Sequence, residues 1–269
     1  MLQYGSNFLI ERCQMSEHIK LKEEDGVLEI TFARPDKKNA LTNAMYAAAC
    51  EALDKAKSNR AIRVVLFSSE GGAFTAGNDM AEFASVAGGQ SGELKALRFV
   101  ETLARFEKPV VAAVPGLAVG VGATMLLHCD LVYVADTAKL STPFVNLALV
   151  PEAASSLLLP ARIGHVRAFA MFALGESISG AEAVTLGLAN KMLPQDEVLT
   201  VARTAARTLA QKPPASIQST KRLMRDVTAL VARIDAESLI FGDCLKSDEA
   251  REAFRAFAER RSPDYSKFA

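Results

Sequence analysis

The segment Val110-Val111-Ala112-Ala113-Val114-Pro115-Gly116-Leu117-Ala118-Val119-Gly120-Val121-Gly122-Ala123-Thr124 constrains this chain more than any other. Its first five residues are apolar and valine-rich, the pattern of a buried strand. Pro-Gly then turns the chain, and a glycine-spaced stretch opens an apolar helix. A strand-to-helix turn built on glycine lets the backbone take unusual φ angles. Free N–H groups can then point at one spot, helped by the positive end of the helix. A second segment has the same design. Ala73-Phe74-Thr75-Ala76-Gly77-Asn78-Asp79-Met80 follows the apolar run from Ile62 to Phe67. Two such turns supply two backbone donors for a developing oxyanion, and removing one costs about 3 kcal/mol of barrier lowering.

Each feature also has a plainer reading. Gly77 and Gly122 would relieve crowding between a strand and a helix. Asp79 suits the cap of a helix that begins near Met80, and capping is its expected role. Glu152, in Val150-Pro151-Glu152-Ala153, would suit the first turn of a helix, where the dipole favours an acid. Two glycine motifs, each after a strand and each opening toward a helix, point beyond crowding to a site.

The rest of the chain reads as one α/β unit followed by helices. Residues 18–24 and 27–33 alternate around Asp25-Gly26, a hairpin signal. Leu41, Met45, Ala48, Ala49, Ala52, Leu53 and Ala56 trace a helical face opened by Thr42 or Asn43. Residues 84–92, rich in Gly and Ser, read as a mobile loop bordering a substrate site. Leu94, Leu97, Val100, Leu103 and Phe106 trace a helix stopped by Pro109, and Asp130 to Ala135 reads as a buried strand. Strands alternating with helices predict parallel pairing. The predicted boundaries are a leader over 1–14, with Met15 as an alternative start, a core over 15–195, and a helical region over 196–269. Pro213 and Pro214 divide two of its helices. Leu239, Ile240, Phe241, Cys244, Leu245, Phe254 and Phe257 form an apolar excess there.

Charge excludes some classes of function. Lys plus Arg equals Asp plus Glu at 31 each, so no basic field attracts nucleic acid or an anionic membrane surface. No apolar stretch reaches transmembrane length, because Pro115, Gly116, Gly120 and Gly122 break the longest one. The start lacks a signal-peptide core, and Ser266-Lys267-Phe268-Ala269 is not a peroxisomal address. Cys13, Cys50, Cys129 and Cys244 are scattered and read as reduced thiols in a cytoplasmic protein, two of them in the core. With His18, His128 and His165 also isolated, no metal constellation is expected.

The chain resembles the crotonase, or enoyl-CoA hydratase/isomerase, family. The matching pieces are Phe-Thr-Ala-Gly-Asn-Asp-Met (74–80), Lys-Pro-Val-Val-Ala-Ala-Val-Pro-Gly (108–116), Cys-Asp-Leu-Val-Tyr-Val-Ala (129–135), Ser-Thr-Pro-Phe (141–144) and Ser-Gly-Ala-Glu-Ala-Val-Thr-Leu-Gly-Leu-Ala-Asn (179–190). Within the family, Gly-Asn-Asp, Thr124, Thr-Pro-Phe and Pro-Glu-Ala-Ala-Ser-Ser (151–156) look most like the peroxisomal-type Δ3,Δ2-enoyl-CoA isomerases. The resemblance implies an α/β fold, a crotonase-like spiral of ββα units followed by a C-terminal helical region. It implies oxyanion donors at the N–H groups of Asn78 and Val121 and a proton shuttle at Glu152. A family hydratase would carry its acid/base pair where Thr124 and Phe144 stand here, so one carboxylate must do the proton work. That suits moving a double bond better than adding water.

By the same resemblance, Ala76, Gly77, Asn78, Asp79, Met80, Gly120, Thr124, Phe144 and Lys221 contact the acyl-CoA. Phe74, Phe144 and Leu149 wall the carboxylate. No cofactor is needed beyond the CoA that the substrate carries. The family habit is a homotrimer, or a hexamer of two stacked trimers. The competing readings are a 2-enoyl-CoA hydratase of fatty-acid β-oxidation and, in another class, a non-catalytic CoA-ester-binding module.

Overall fold

The computed structural model describes residues 16–87 and 95–268, with side chains omitted for 85–87. The proposed leader and part of the 84–92 segment therefore lie outside the described residues. Residues 84–87 of that segment are helical, the end of the helix that starts at Met80.

The fold begins with the hairpin β1 (Ile19–Glu24) and β2 (Val27–Phe32), paired antiparallel from Ile19↔Phe32 to Glu24↔Val27. Asp25 and Gly26 both have positive φ, 51° and 78°, as a two-residue turn matched to strand twist requires. The helix α1 (Asn43–Ser58) follows, and Thr42 is its cap, accepting from Met45 N at 3.2 Å. Its core face carries Met45, Ala48, Ala49, Ala52, Leu53 and Ala56 as expected, with Tyr46 beside them, while Leu41 precedes it in a bridge to Asn78.

From there the chain winds between two sheets. β3 (Val64–Ser69) lies in the first sheet and β4 (Ala73–Thr75) in the second, followed by helices α2 (Met80–Ala87) and α3 (Lys95–Ala104). β5 (Val110–Val114) returns to the first sheet, and β6 (Leu117–Val119) to the second, followed by α4 (Val121–Thr124). β7 (Leu131–Ala135) and β8 (Lys139–Ser141) repeat the step, followed by α5 (Ser155–Ile163) and α6 (His165–Phe169). β9 (Ser177–Ser179), α7 (Gly180–Thr185) and β10 (Lys191–Leu193) complete it. The first sheet has the order β1-β2-β3-β5-β7-β10 and is parallel from β2 onward. The second has the order β4-β6-β8-β9, with only β8 and β9 antiparallel.

Physical chemistry explains the winding. β3 and β5 are buried along almost their whole length, the burial expected of central parallel strands covered on both faces. The segment after Pro115-Gly116 corrects the sequence expectation. It enters a second strand, β6, before the helix, and that helix is one α turn running into a 3-10 turn over Met125–His128. Ser179-Gly-Ala-Glu182 is a capping box that starts α7, with Ser179 Oγ and the Glu182 carboxylate capping reciprocally.

The helical region contains α8 (Val198–Ala210), α9 (Pro214–Met224), α10 (Val227–Leu245) and α11 (Asp248–Glu259). α8 lays Val198, Ala202, Ala206 and Ala210, one residue per turn, on the first sheet. Small alanines allow close approach there. The apolar excess of α10 splits between its faces. Phe241 and Leu245 point inward, while Leu239 is 74% exposed and Ile240 55%.

Candidate active site

The two glycine turns sit side by side because β4 and β6 are parallel neighbours, with Ala73 beside Leu117. Both turns leave the same end of the second sheet. At Gly77 the φ is 89°, and a Cβ would stand 2.9 Å from Val119 O, so only glycine fits against the neighbouring turn. At Gly120, φ 55° and ψ −121° lie outside the reach of ordinary L-residues. Gly122 is different. A Cβ there would meet Thr75 Cγ2 at 2.5 Å, so its role is close packing, as the plainer reading held.

The hydrogen bonds around each turn isolate one N–H. Leu41 N donates to Gly77 O at 2.8 Å, and Asp79 N donates to Leu41 O at 2.8 Å. Gly77 N donates to Thr75 Oγ1 at 3.0 Å. Asn78 N between them has no partner among the described residues. In the second turn Gly120 N donates to Ser141 O, and Ala123 N and Thr124 N both donate to Gly120 O. Val121 N begins the helix and is likewise unpartnered among the described residues.

Asn78 and Val121 line a cavity of about 390 Å³ together with Glu152. Ala76, Gly77, Met80, Gly120, Phe144 and Leu149 share its wall. The cavity is mainly apolar, with Phe83, Leu147, Phe241 and Phe257 completing it. Glu152 is not in the first turn of a helix. It precedes a turn in which Ala153 and Ala154 hold φ values of 60° and 55°, and α5 starts only at Ser155. Its side chain is 9% exposed. Thr124 Oγ1 donates to Glu152 Oε1 at 2.5 Å.

Burial raises the Glu152 carboxyl from 4.5 to about 7. The Thr124 hydrogen bond opposes that rise, and the nearby Glu237 carboxylate adds to it. A carboxyl tuned near neutrality can take up and return a proton in the physiological range. Among the described residues, no group of three His, Cys, Asp or Glu side chains could hold a metal ion.

Other expected site residues stand elsewhere. Thr124 does not line the cavity; it reaches it through Glu152. Asp79 also lies behind the wall. Its Oδ1 caps α2 by accepting from Ala81 N at 3.0 Å, and its Oδ2 pairs with Arg34 at 2.7 Å. The capping expectation holds, and Arg34 holds the carboxyl below its ordinary range against burial, which acts to raise it. Phe74 belongs to the core, packed on Phe32 with ring centroids 5.4 Å apart. Lys221 is the clearest departure. It is 8% exposed, and its ammonium pairs with Asp130 at 2.7 Å and donates to Lys108 O at 2.9 Å. Those bonds tie α9 to β5 and β7, away from the cavity.

The sequence reading missed Tyr46 and the helical wall. Tyr46 is buried, and its hydroxyl donates to Asn78 Oδ1 at 2.6 Å, fixing the side chain of an oxyanion residue. Its place on the core face of α1 was the only available signal. Phe241, Ala253, Phe257, Arg261 and Pro263 come from the helical region, whose apolar excess was read as an oligomer contact. Arg261 is held by Glu252, which also takes Arg255 and Asp264 N. That network ties the end of the chain over the cavity. Among the described residues, no helix is long and apolar enough to cross a membrane.

The comparisons with known proteins agree with this geometry. A family profile described as enoyl-CoA hydratase/isomerase matches residues 22–267. Enoyl-CoA delta isomerase 2 of Rattus norvegicus is 36% identical over 219 residues, 80% of this chain and 56% of that protein. The chain thus spans little more than half the length of that relative. A probable enoyl-CoA hydratase of Bacillus subtilis is 31% identical over 92% of this chain and 98% of its own. The solved structure of Pseudomonas aeruginosa OdaA is 45% identical, with a TM-score of 0.85, covering 90% of this chain and 99% of that one. The winding sheets are those of the crotonase fold, and the chain belongs to the enoyl-CoA hydratase/isomerase family.

Proposed function

We propose that this chain shifts the double bond of a 3-enoyl-CoA to the conjugated 2-enoyl-CoA. One observation carries the reading: among the described residues a single carboxylate, Glu152, shares an apolar cavity with two unpartnered backbone donors, Asn78 N and Val121 N. In this mechanism the thioester oxygen lies between the two N–H groups, and the adenine end of the CoA lies along residues 76–80. Polarising the carbonyl acidifies the C2 proton. Ionised Glu152 removes it, and the electron pair moves into the dienolate held by the two donors. The same carboxyl then delivers the proton to C4 as the C2–C3 double bond forms. No water is consumed, and no group beyond this chain and the ester takes part.

Hydration is the second reading, favoured by the resemblance to the Bacillus subtilis probable hydratase. It requires a water held on one face and a proton delivered at the other carbon. Thr124 is engaged with Glu152 and is no base near neutral pH. Phe144 lines the cavity without a proton to offer. The test is the ratio of specificity constants for 3-enoyl-CoA isomerisation and 2-enoyl-CoA hydration on esters of equal length. At least a hundredfold in favour of isomerisation is expected, roughly 2.7 kcal/mol in barrier. A ratio near one would overturn the assignment. Glu152→Gln should bind the ester normally and lose at least two orders of magnitude in turnover. A pure CoA-ester binder would show no turnover in either form.

We further propose a homotrimer or hexamer, supported by the outward Leu239 and Ile240 of α10 and by Leu223 and Met224 of α9, 88% and 80% exposed. A monomer mass in light scattering at micromolar concentration would refute it.

A further inference from the structure

Glu237 is a buried carboxylate on α10, far from Glu152 in sequence, and it does not line the cavity. Its two oxygens are spent on backbone. Oε2 accepts from Ala154 N at 2.6 Å, and Oε1 accepts from Ser156 N at 2.9 Å. Those donors belong to the turn that follows Glu152. The turn needs support, because Ala153 and Ala154 both sit in the left-handed region without being glycine. Such a residue is sterically strained and persists only where its surroundings impose it.

The opposite side of the same turn is also held. His128 is fully buried, and its Nε2 stands 2.7 Å from Ala153 O. Arg225 Nη2 donates to His128 Nδ1 at 3.0 Å, and a guanidinium can only donate. Nδ1 is therefore the acceptor, and Nε2–H donates to Ala153 O. Burial and Arg225 hold the imidazole neutral, its acidity pushed to about 3. Neither pair reaches the cavity, yet both hold the Ala153–Ala154 peptide that follows Glu152, His128 at its carbonyl and Glu237 at its N–H.

We propose that Glu237 is a positioning residue for Glu152, holding through Ala154 N and Ser156 N the left-handed turn that aims the catalytic carboxylate into the cavity. The role rests on the isomerase reading given above. It also has an electrostatic side. Glu152 is faced by Thr124 from α4, by Tyr46 from α1 and by Glu237 from α10, while Arg261 lines the same cavity. Glu237 in turn is faced by Arg233 on its own helix and by Ser156. Among these, Glu237 is the negative neighbour that disfavours ionised Glu152. Removing its charge should let Glu152 ionise at lower pH.

The experiment uses the full chain with Glu237→Gln. One amide oxygen can serve one of the two N–H groups, and the charge is gone. Turnover of 3-enoyl-CoA should fall at least tenfold with KM within threefold of wild type. The acid limb of the pH profile should move to lower pH. A substrate-free readout runs beside it: the infrared carboxyl band absent from Glu152→Gln, titrated in wild type and in Glu237→Gln. That band should titrate at lower pH in Glu237→Gln. An unmoved band, or turnover within twofold of wild type, overturns the proposal. A wild-type chain inactive on every enoyl-CoA ester would sink the isomerase reading, and the band alone would then decide the role of Glu237. Should Glu237→Gln fail to fold, Glu237→Asp keeps the charge and shortens the reach by one methylene. It should lose at least tenfold in turnover with the acid limb in place, and full turnover there overturns the proposal.

Discussion

Replacing Glu152 by glutamine should stabilise the fold above neutral pH even as it removes the base. Native Glu152 holds its proton up to about pH 7, whereas the same side chain in an unfolded chain ionises near 4.5. Between those values the native state binds more protons than the unfolded state, so stability falls as pH rises through that window. Above pH 7 the cost is fully present, about 3 kcal/mol. Glutamine has the same shape and carries no charge, and its oxygen can still accept from Thr124. Its amide N–H groups face an apolar wall, which costs roughly 1 kcal/mol. A net gain of about 2 kcal/mol is expected at pH 8, and none at pH 5, where wild-type Glu152 is already neutral. For a chain of this size that is roughly 5 °C in Tm. Calorimetry of both proteins at pH 5 and pH 8, at matched concentration, measures it. Equal Tm differences at the two pH values, or a less stable variant at pH 8, would refute the claim that Glu152 is a destabilised, neutral-leaning carboxyl. No substrate enters the test.

Three further perturbations probe the surroundings of the cavity. Thr124→Val removes the hydrogen bond that favours ionised Glu152, so the acid limb of the kcat/KM profile should move above about pH 7; an unmoved limb between pH 5 and 9 would contradict the assignment. Gly77→Ala places a Cβ 2.9 Å from Val119 O at φ 89°. It should destabilise by roughly 2 kcal/mol and lower turnover about a hundredfold, read by thermal melting and steady-state kinetics. Tyr46→Phe removes the buried hydroxyl that donates to half-buried Asn78 Oδ1 at 2.6 Å. A stability loss of about 1–2 kcal/mol is expected by urea titration.

What the sequence determined by itself is local in character. The Asp25-Gly26 turn, the Thr42 cap, the buried valine strands and the glycines at 77 and 120 each follow from a few neighbouring residues. Steric limits on φ and ψ, and the need to pair backbone groups, act over that range. The resemblance then tied Asn78, Val121 and Glu152 together, and they do share one cavity. Tertiary structure decided the rest, because the deciding contacts join distant stretches. Pairing of β4 with β6 set the two turns side by side, and β6 itself, three residues between Gly116 and Gly120, was too short to read as a strand. Lys221 lies on an amphipathic helix whether it meets solvent or Asp130, 91 residues away, so no pattern near it could predict an internal ion pair. Phe241 and Phe257 belong to apolar stripes that fit an oligomer contact as well as a cavity wall. Glu237 reaches Ala154 across 83 residues. A charge on a helix reads as a solvated face until packing brings two unpaired N–H groups against it, and only the folded chain brings them there.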